Sequence, residues 1–178
     1  MKKNTFTIFT IGHGTKSIDE FIDLLKAYEV QRVVDVRTIP RSRHNPQFNK
    51  EILPKSLKKV HIGYIHIKGL GGLRHAEKDS VNTAWRNASF RGFADYMQTE
   101  DFKKNIERLI KIAKQKNIAI MCAESVPWRC HRSLIADALQ VRGIQVRHIM
   151  SRKSCKGHIL TAWIKARGLK ITYPLFVQ

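Results

Sequence analysis

Short apolar runs alternate with amphipathic stretches along the chain, and this alternation predicts its architecture. The strand-like runs, rich in β-branched residues, are 5–11, 32–36, 63–67, 118–122 and 145–149. The stretches with apolar side chains at helical spacing begin near residues 18, 51, 99 and 131. Strands that alternate with helices predict an α/β fold, namely a three-layer, mostly parallel (Rossmann-like) sheet with helices on both faces.

Local signals refine this prediction. Ser17 and Glu20 have the spacing of a capping box, and Thr99 is placed to cap the helix that runs to Lys116. A short helix is predicted at 93–97, and the polar stretch 73–88 is interpreted as an excursion or lid. For the tail, the pattern predicts a helical segment at 159–166 and then a closing strand or extended arm at 172–177.

The length of 178 residues predicts a single domain spanning 1–178. No apolar run approaches the ~18 residues of a membrane span, so no membrane association is expected. The N-terminal run 5–11 is broken by threonines and is interpreted as a strand, not a signal peptide. Three cysteines are an odd number and are not needed as staples, which favours a reducing cytoplasm.

Charge changes the picture most. The chain has 33 Lys and Arg against 14 Asp and Glu, a net charge of +19 with a sequence pI near 10.3. Such a field attracts polyanions, so nucleic acid, DNA or RNA, is the expected partner. The basic residues are spread along the chain, which places any binding surface on the folded domain. Solubility conferred by charge remains the alternative explanation.

Polar residues stand at the ends of the predicted strands. They are His13, Asp35, Arg37, His66, Cys122 and Glu124, and the Gly71-Gly72 turn follows the third strand. Because the carboxyl ends of parallel strands share one edge of a sheet, these residues predict a site there. The glycines permit a close approach to a ligand, although a plain turn is equally compatible. Trp85, Trp128 and Phe48 are candidates for stacking on an unpaired base.

The loop between the fourth strand and the next helix carries the densest chemistry. A carboxylate beside a histidine and an arginine predicts Glu124 and His131 as general acid–base groups and Arg132 as a phosphate ligand. The alternative is that Glu124 and Arg132 pair only to fix the loop. Cys122 is a candidate nucleophile or a buried structural cysteine. A phosphatase cradle is disfavoured, because Arg129 follows Cys122 by seven residues instead of six.

Metal binding is considered and not predicted. Cys130 and His131 could combine with Cys155 and His158, but adjacent residues are not expected to aim at one ion. The string from Cys122 to Cys130 is also similar to the zinc deaminases of free cytidine, with a different spacing of the cysteines. We therefore expect no metal and no cofactor.

An ordered set of short motifs resembles the family named DUF488, a domain of unknown function. The motifs are Thr10–His13, Asp35–Arg37, Pro40-x-Ser42-Arg43, Leu70–Gly72, Gly92–Met97, Cys122-x-Glu124-x-x-Pro127-x-x-Cys130-His131-Arg132 and Tyr173-Pro174. They cover nearly the whole chain. The first motif commonly has a serine where this sequence has Gly14. The resemblance implies an α/β fold and a shared site, and it implies no established reaction.

Together these patterns favour a nucleic-acid-associated protein that acts on, or holds, a base or nucleotide, with glycosidic or phosphodiester cleavage as the expected reaction. Two alternatives remain: a cysteine-dependent sulfur or acyl transferase for a small acidic substrate, and a non-catalytic binding module. The predicted catalytic residues are Glu124, His131, Asp35, His13 and Cys122. The predicted substrate-binding residues are Arg37, Arg43, Arg132, Ser42, Gly71, Gly72, Tyr96 and Trp128.

Overall fold

A computed structural model describes residues 6–175 of the chain. Six strands form one sheet: β1 (Thr7–Gly12), β2 (Arg32–Asp35), β3 (Gly63–His66), β4 (Ile118–Cys122), β5 (Gln145–Ser151) and β6 (Ser154–Gly157). Their order across the sheet is β3-β2-β4-β1-β5-β6. Strands β1 to β5 pair in parallel, and β6 pairs antiparallel with β5. The predicted mostly parallel sheet is confirmed.

Helices cover both faces of the sheet. They are α1 (Ile18–Ala27), α2 (Leu53–Lys59), α3 (Ala88–Tyr96), α4 (Glu100–Ala113) and α5 (Arg132–Val141). Helices α1 and α2 pack with one core cluster, and α3, α4 and α5 pack with the other. The three-layer α/β fold is therefore confirmed as well.

The two faces follow from alternation along each strand. On β2, Val33 contributes to the cluster beneath α1 and α2, whereas its neighbour Val34 contributes to the cluster beneath the other three helices. Both side chains are fully buried. Successive residues of a strand point to opposite faces, so a strand covered on both sides must be apolar throughout. The continuous apolar sequence of β4 and the Val33-Val34 centre of β2 reflect this requirement.

Two predicted helix starts are confirmed in detail. At α1, the Glu20 amide donates to Ser17 Oγ at 3.1 Å, and the Ser17 amide donates to Glu20 Oε2 at 2.7 Å. At α4, the Phe102 amide donates to Thr99 Oγ1 at 3.2 Å. These contacts satisfy amides that have no partner inside the helix.

The C-terminal segment differs from its prediction. Residues 159–166 are not helical: they run as coil and a turn into β7 (Lys165–Arg167), which pairs antiparallel with β8 (Lys170–Thr172). Thr161 explains the difference, because its amide and hydroxyl donate to Asp137 at 3.1 Å and 2.7 Å. Such side-chain and main-chain bonds compete with helix formation. The predicted closing strand at 172–177 overlaps β8 only at Thr172, and its last two residues lie outside the described range.

The structure also tests the predicted short helix at 93–97 and the predicted excursion at 73–88. The short helix predicted at 93–97 is longer and begins at Ala88, whereas residues 73–87 contain neither helix nor strand, as expected of an excursion. Within residues 6–175, none of the helices is long and apolar enough to cross a membrane.

Candidate functional site

A cavity of about 470 Å³ opens at the carboxyl edge of the sheet. Ligand pockets usually have volumes of roughly 300–1,000 Å³. Its lining includes seven residues predicted from the sequence, namely His13, Arg37, Ser42, Gly72, Cys122, Glu124 and His131. It also includes Thr38, Ile39, Arg41, Leu73, Ser89, Phe90, Ala123, Arg129 and Cys130. The ends of β1, β2 and β4 thus contribute to one concave surface.

Asp35 and Arg37 form a buried ion pair behind the cavity. Arg37 donates from Nη2 to Asp35 Oδ2 at 2.6 Å and from Nε to Oδ1 at 2.9 Å. The Tyr64 hydroxyl donates to Asp35 Oδ2 at 2.7 Å. Burial, together with the charge of Asp35, raises the pKa of Tyr64. Asp35 is fully buried, so the structure places it where it holds Arg37, and Arg37 is the member of the pair that reaches the cavity.

His13 lies between Arg37 and an aromatic ring. Its ring stacks on Phe48 with centroids 4.3 Å apart, and Nδ1 is 2.8 Å from the carbonyl oxygen of Gly14. A carbonyl only accepts, so Nδ1 carries the proton and Nε2 is left to accept from Arg37 Nη1 at 3.4 Å. Burial lowers the pKa of His13 to about 4. His13 is therefore a neutral imidazole near neutral pH.

Arg132 is an interior anchor of the loop after β4. Its Nε donates to Cys130 Sγ at 3.4 Å, its Nη1 donates to Thr10 Oγ1 at 3.2 Å, and its Nη2 donates to the main-chain oxygen of Glu124. Only 1% of its surface is exposed, so its predicted contact with substrate phosphate has no support in this arrangement. It fixes the loop through the main chain, and the Glu124 carboxylate stays exposed at the cavity.

His131 is held by two carbonyl groups. Its Nε2 lies 3.1 Å from the oxygen of Val36 and 3.0 Å from that of Leu70, so Nε2 donates to both. Its Nδ1 faces Cys130 Sγ at 3.7 Å. Gly72 makes room for the ring, because a Cβ at this position would lie 2.5 Å from Nδ1. The predicted importance of Gly72 thus has a steric reason.

The two cysteines of the loop approach each other at the cavity. Cys122 Sγ, Cys130 Sγ and His131 Nδ1 all lie within 4.8 Å of one another. The hydrogen bond from the Cys122 thiol, with the positive charge of Arg132 nearby, lowers the pKa of Cys130 well below its ordinary value. The same hydrogen bond and burial raise the pKa of Cys122. Cys130 is therefore the more acidic thiol of the pair, whereas the sequence offered Cys122 as the candidate nucleophile.

Besides Arg132, four predicted binding residues lie away from this cavity. The indole of Trp128 is 61% exposed and lines a second cavity, and Arg43 is exposed on its loop. The Tyr96 hydroxyl donates to the oxygen of Gly69 at 2.6 Å, and its ring lies beneath the Arg74 guanidinium. Gly71 is packed against Thr38. Arg43 and Tyr96 were predicted from motif membership, Trp128 as a stacking aromatic and Gly71 as a glycine at a strand end, and none of these signals reveals whether a residue faces the cavity.

Two of the three aromatic residues predicted to stack on a base pack inside the protein. Phe48 is fully buried against His13, and Trp85 packs among Phe90, Trp163 and Tyr173. Both aromatic rings serve the protein interior instead of offering an open face to a base.

Sequence reasoning missed Arg41, Arg129 and Cys130 as lining residues. Arg41 sits at the cavity and pairs with Glu51 at 3.2 Å, and Arg129 is exposed at its rim. Each is adjacent in sequence to a predicted residue, which was the available signal. Only the path of the loop shows that its two ends, Cys122 and Cys130, come together.

The sequence argument against a metal was that the adjacent residues Cys130 and His131 would not aim at one ion, and the structure contradicts it. Cys130 and His131 present their donor atoms 3.7 Å apart on the same side. The other two residues of that set lie elsewhere: His158 bonds Asp137, and Cys155 packs beside the core under α1 and α2. Cys122, from the other end of the loop, takes their place.

Comparison with known proteins gives one result. Neither the curated proteins nor the solved structures contain a match to this chain. The model of one family, described as domain of unknown function DUF488, matches residues 17–139. This match covers more than half of the sequence and agrees with the motifs gathered at the cavity. The chain belongs to the DUF488 family.

Proposed function

We propose that this protein is a nucleic-acid-associated enzyme that acts on a base, nucleotide or phosphodiester bound in the cavity at the carboxyl edge of the sheet. The observation that carries the proposal is the convergence of Glu124, His131 and Arg37 on one open cavity. The net charge of +19 supplies the attraction for a polyanion.

The cavity offers separate groups for binding and for chemistry. Arg41 and Arg129 stand at its rim, where guanidinium groups suit phosphate oxygens. Glu124 is exposed and lines the same space, so its carboxylate is the candidate general base. Asp35 orients Arg37 from behind the cavity, and His13, which lines the cavity, accepts a hydrogen bond from Arg37.

A cytoplasmic location accompanies this proposal. The three cysteines are free thiols, and two of them lie together at the cavity. Thiols in such proximity persist in reducing compartments.

Binding is tested by titrating labelled single-stranded DNA, duplex DNA and RNA at several salt concentrations. We expect affinity that falls as salt rises, and Arg129→Gln should reduce the slope of log K against log salt by about 1 if Arg129 contacts a phosphate. Lys116→Gln is the matched control, because Lys116 is exposed just before β4, at the opposite edge of the sheet. Affinity that does not depend on salt would contradict the proposal.

Catalysis is tested with Glu124→Gln, which keeps the shape of the side chain and removes its charge. Oligonucleotides and free nucleotides are incubated with each protein, and products are identified by mass spectrometry. We expect product with the natural protein only, while Glu124→Gln still binds. Binding without product in both proteins would favour the non-catalytic module.

One observation favours a second candidate, a cysteine-dependent sulfur or acyl transferase for a small acidic substrate. Cys130 Sγ accepts the Nε–H of Arg132 and faces His131 at the wall of the cavity. Groups of this kind stabilise a thiolate. Rapid alkylation near neutral pH that is lost in Cys130→Ser and kept in Cys155→Ser would support this candidate. Alkylation no faster than that of a free thiol would remove it.

A further inference from the structure

We propose that Cys122, Cys130 and His131 form a site for a thiophilic divalent cation, with zinc as the best fit, whose fourth coordination position faces the cavity. This inference deepens the proposed function by naming a cofactor of the same cavity. The catalytic role of the ion rests on the proposed function, whereas the binding of the ion does not.

The spacing of the donor atoms fits such an ion. Cys130 Sγ and His131 Nδ1 are 3.7 Å apart, and both lie within 4.8 Å of Cys122 Sγ. Zinc binds thiolate sulfur at about 2.3 Å and imidazole nitrogen at about 2.0 Å, so tetrahedral geometry places the two donors ~3.6 Å apart. One edge of the coordination tetrahedron is therefore already formed.

The imidazole of His131 is oriented as a ligand would be. Its Nε2–H is shared between the carbonyl oxygens of Val36 and Leu70, which leaves the Nδ1 lone pair free, with Cys130 Sγ 3.7 Å away. Proteins commonly fix a metal-binding histidine in this way, with the far nitrogen donating to a carbonyl group.

The surroundings also suit two thiolates. The Arg132 amide and Nε both donate to Cys130 Sγ, at 3.5 Å and 3.4 Å. Two thiolates and a neutral imidazole carry two negative charges in total, which neutralise a divalent cation. The N–H groups of Arg132 therefore only add hydrogen bonds to the sulfur of Cys130.

The site is open on one side. All three residues line the cavity, so the protein would supply three ligands and leave one position to solvent or substrate. Three protein ligands with an open position are typical of catalytic zinc sites, whereas structural sites are closed by a fourth protein ligand. Glu124 lines the same cavity and would be available to accept a proton from a bound water.

The donor set also indicates a class of substrate. Zinc deaminases of bases combine one histidine and two cysteines with a glutamate that is not a ligand. Cys122, Cys130, His131 and Glu124 provide the same four groups around one cavity. An ion here would therefore suit hydrolysis at a ring carbon of a base, within the substrate class already proposed.

The test is a titration of the full-length, reduced and metal-stripped protein with Co²⁺, followed by displacement with Zn²⁺. We expect one Co²⁺ per chain, with sulfur-to-cobalt charge-transfer absorption and the intense visible bands of a tetrahedral ion. Cys122→Ser, Cys130→Ser and His131→Gln should each weaken binding by more than the roughly 10–100-fold that follows loss of a ligand's hydrogen-bond partner. Cys155→Ser, which changes the cysteine outside the cavity, should bind as the natural protein does.

A second measurement covers variants that fail to fold. In the natural protein, Zn²⁺ should protect two of the three thiols from alkylation, and peptide mapping should identify them as Cys122 and Cys130. The absence of charge-transfer absorption, or protection of all three thiols alike, would overturn the inference. Nucleic-acid titrations of the zinc-loaded and zinc-free protein separate the two proposals: metal binding without nucleic-acid binding retains this site and removes the proposed partner.

Discussion

His158 and Asp137 meet in the protein interior, with Nε2 of the imidazole 2.8 Å from Oδ1 of the carboxylate. Both side chains are buried, at 5% and 0% exposure. Asp137 also accepts the hydroxyls of Thr161 and Tyr173, at 2.7 Å and 2.9 Å. The Asp137 carboxylate on α5 therefore connects this helix, by hydrogen bonds, to the C-terminal segment after β6.

The contact between His158 and Asp137 begins a buried series of hydrogen bonds. His148 Nε2 lies 3.0 Å from His158 Nδ1, and His148 Nδ1 lies 2.7 Å from Thr10 Oγ1. Thr10 in turn accepts from Arg132 Nη1 at 3.2 Å. When both imidazoles are neutral, each donor in the series has one acceptor. If His148 Nδ1 gained a proton, it would also need the Thr10 hydroxyl oxygen as an acceptor, and Arg132 already donates to that oxygen.

Acid should therefore destabilise the fold through His148. Burial lowers the pKa of His148 from 6.5 to about 4, so between these values the unfolded chain binds a proton that the folded chain does not. The stability linked to His148 is present above pH 6.5 and is lost as the pH falls toward 4, by up to about 3 kcal/mol. Urea unfolding at several pH values should show a smaller acid-induced loss in His148→Gln. His13 acts in the same window and remains in both proteins, so an identical pH profile for the two would contradict the assignment.

Loss of the Asp35 charge should be among the most damaging polar changes. Asp35→Asn leaves the 5%-exposed Arg37 without its counter-ion, which should lower the free energy of unfolding by about 3–5 kcal/mol. Glu51→Gln breaks a pair with Arg41 in which both side chains are open to solvent, and it should leave the free energy of unfolding nearly unchanged. Urea unfolding measures both variants, and equal losses would show that Asp35 and Arg37 do not act as a buried pair.

Gly72→Ala should disturb the cavity without removing a functional group. The added Cβ would lie 2.5 Å from Nδ1 and 2.7 Å from Cγ of His131, whose ring is held by two carbonyl oxygens. We expect weaker Co²⁺ binding, with a changed charge-transfer spectrum.

The control for that change is Gly157→Ala on β6, where an added Cβ would meet nothing within 4 Å. Its Co²⁺ spectrum should match that of the natural protein. A normal spectrum in Gly72→Ala would mean that the His131 ring can move without consequence.

Removing one hydroxyl tests the junction at Asp137. Tyr173→Phe deletes a donor to a fully buried carboxylate and should cost roughly 1–2 kcal/mol. Tyr28→Phe deletes a hydroxyl that donates to the oxygen of Ser151 at the surface, where water can replace it, and should cost less than about 0.5 kcal/mol. Thermal or urea unfolding compares the two, and a larger loss in Tyr28→Phe would contradict this description.

The fold could be predicted from the sequence because the signals for strands and helices lie within short stretches of the chain. Val33 and Val34 mark a doubly covered strand, and Ser17 with Glu20 marks a helix start, all within a few residues of sequence. The edge of the sheet at which polar residues collect follows from the parallel strands alone.

The details of the site depend on long-range contacts that a sequence pattern does not encode. Arg132 reads as a phosphate ligand until the structure shows its guanidinium bonded to Thr10, 122 positions away. Cys130 gains its chemistry from Cys122 only because the intervening loop folds back. The segment 159–166 reads as a helix until Thr161 finds Asp137.

The glycine at the end of β1 constrains how this site can change. A Cβ on Gly12 would lie 2.0 Å from the main-chain oxygen of Glu124, so the strand that leads to His13 and the loop that carries the carboxylate touch backbone to backbone. A side chain at position 12 would push the two segments apart. A homologous chain with any larger residue at this position should have its carboxylate displaced from the cavity, which makes position 12 a simple marker for sorting relatives that share this site from those that keep only the fold.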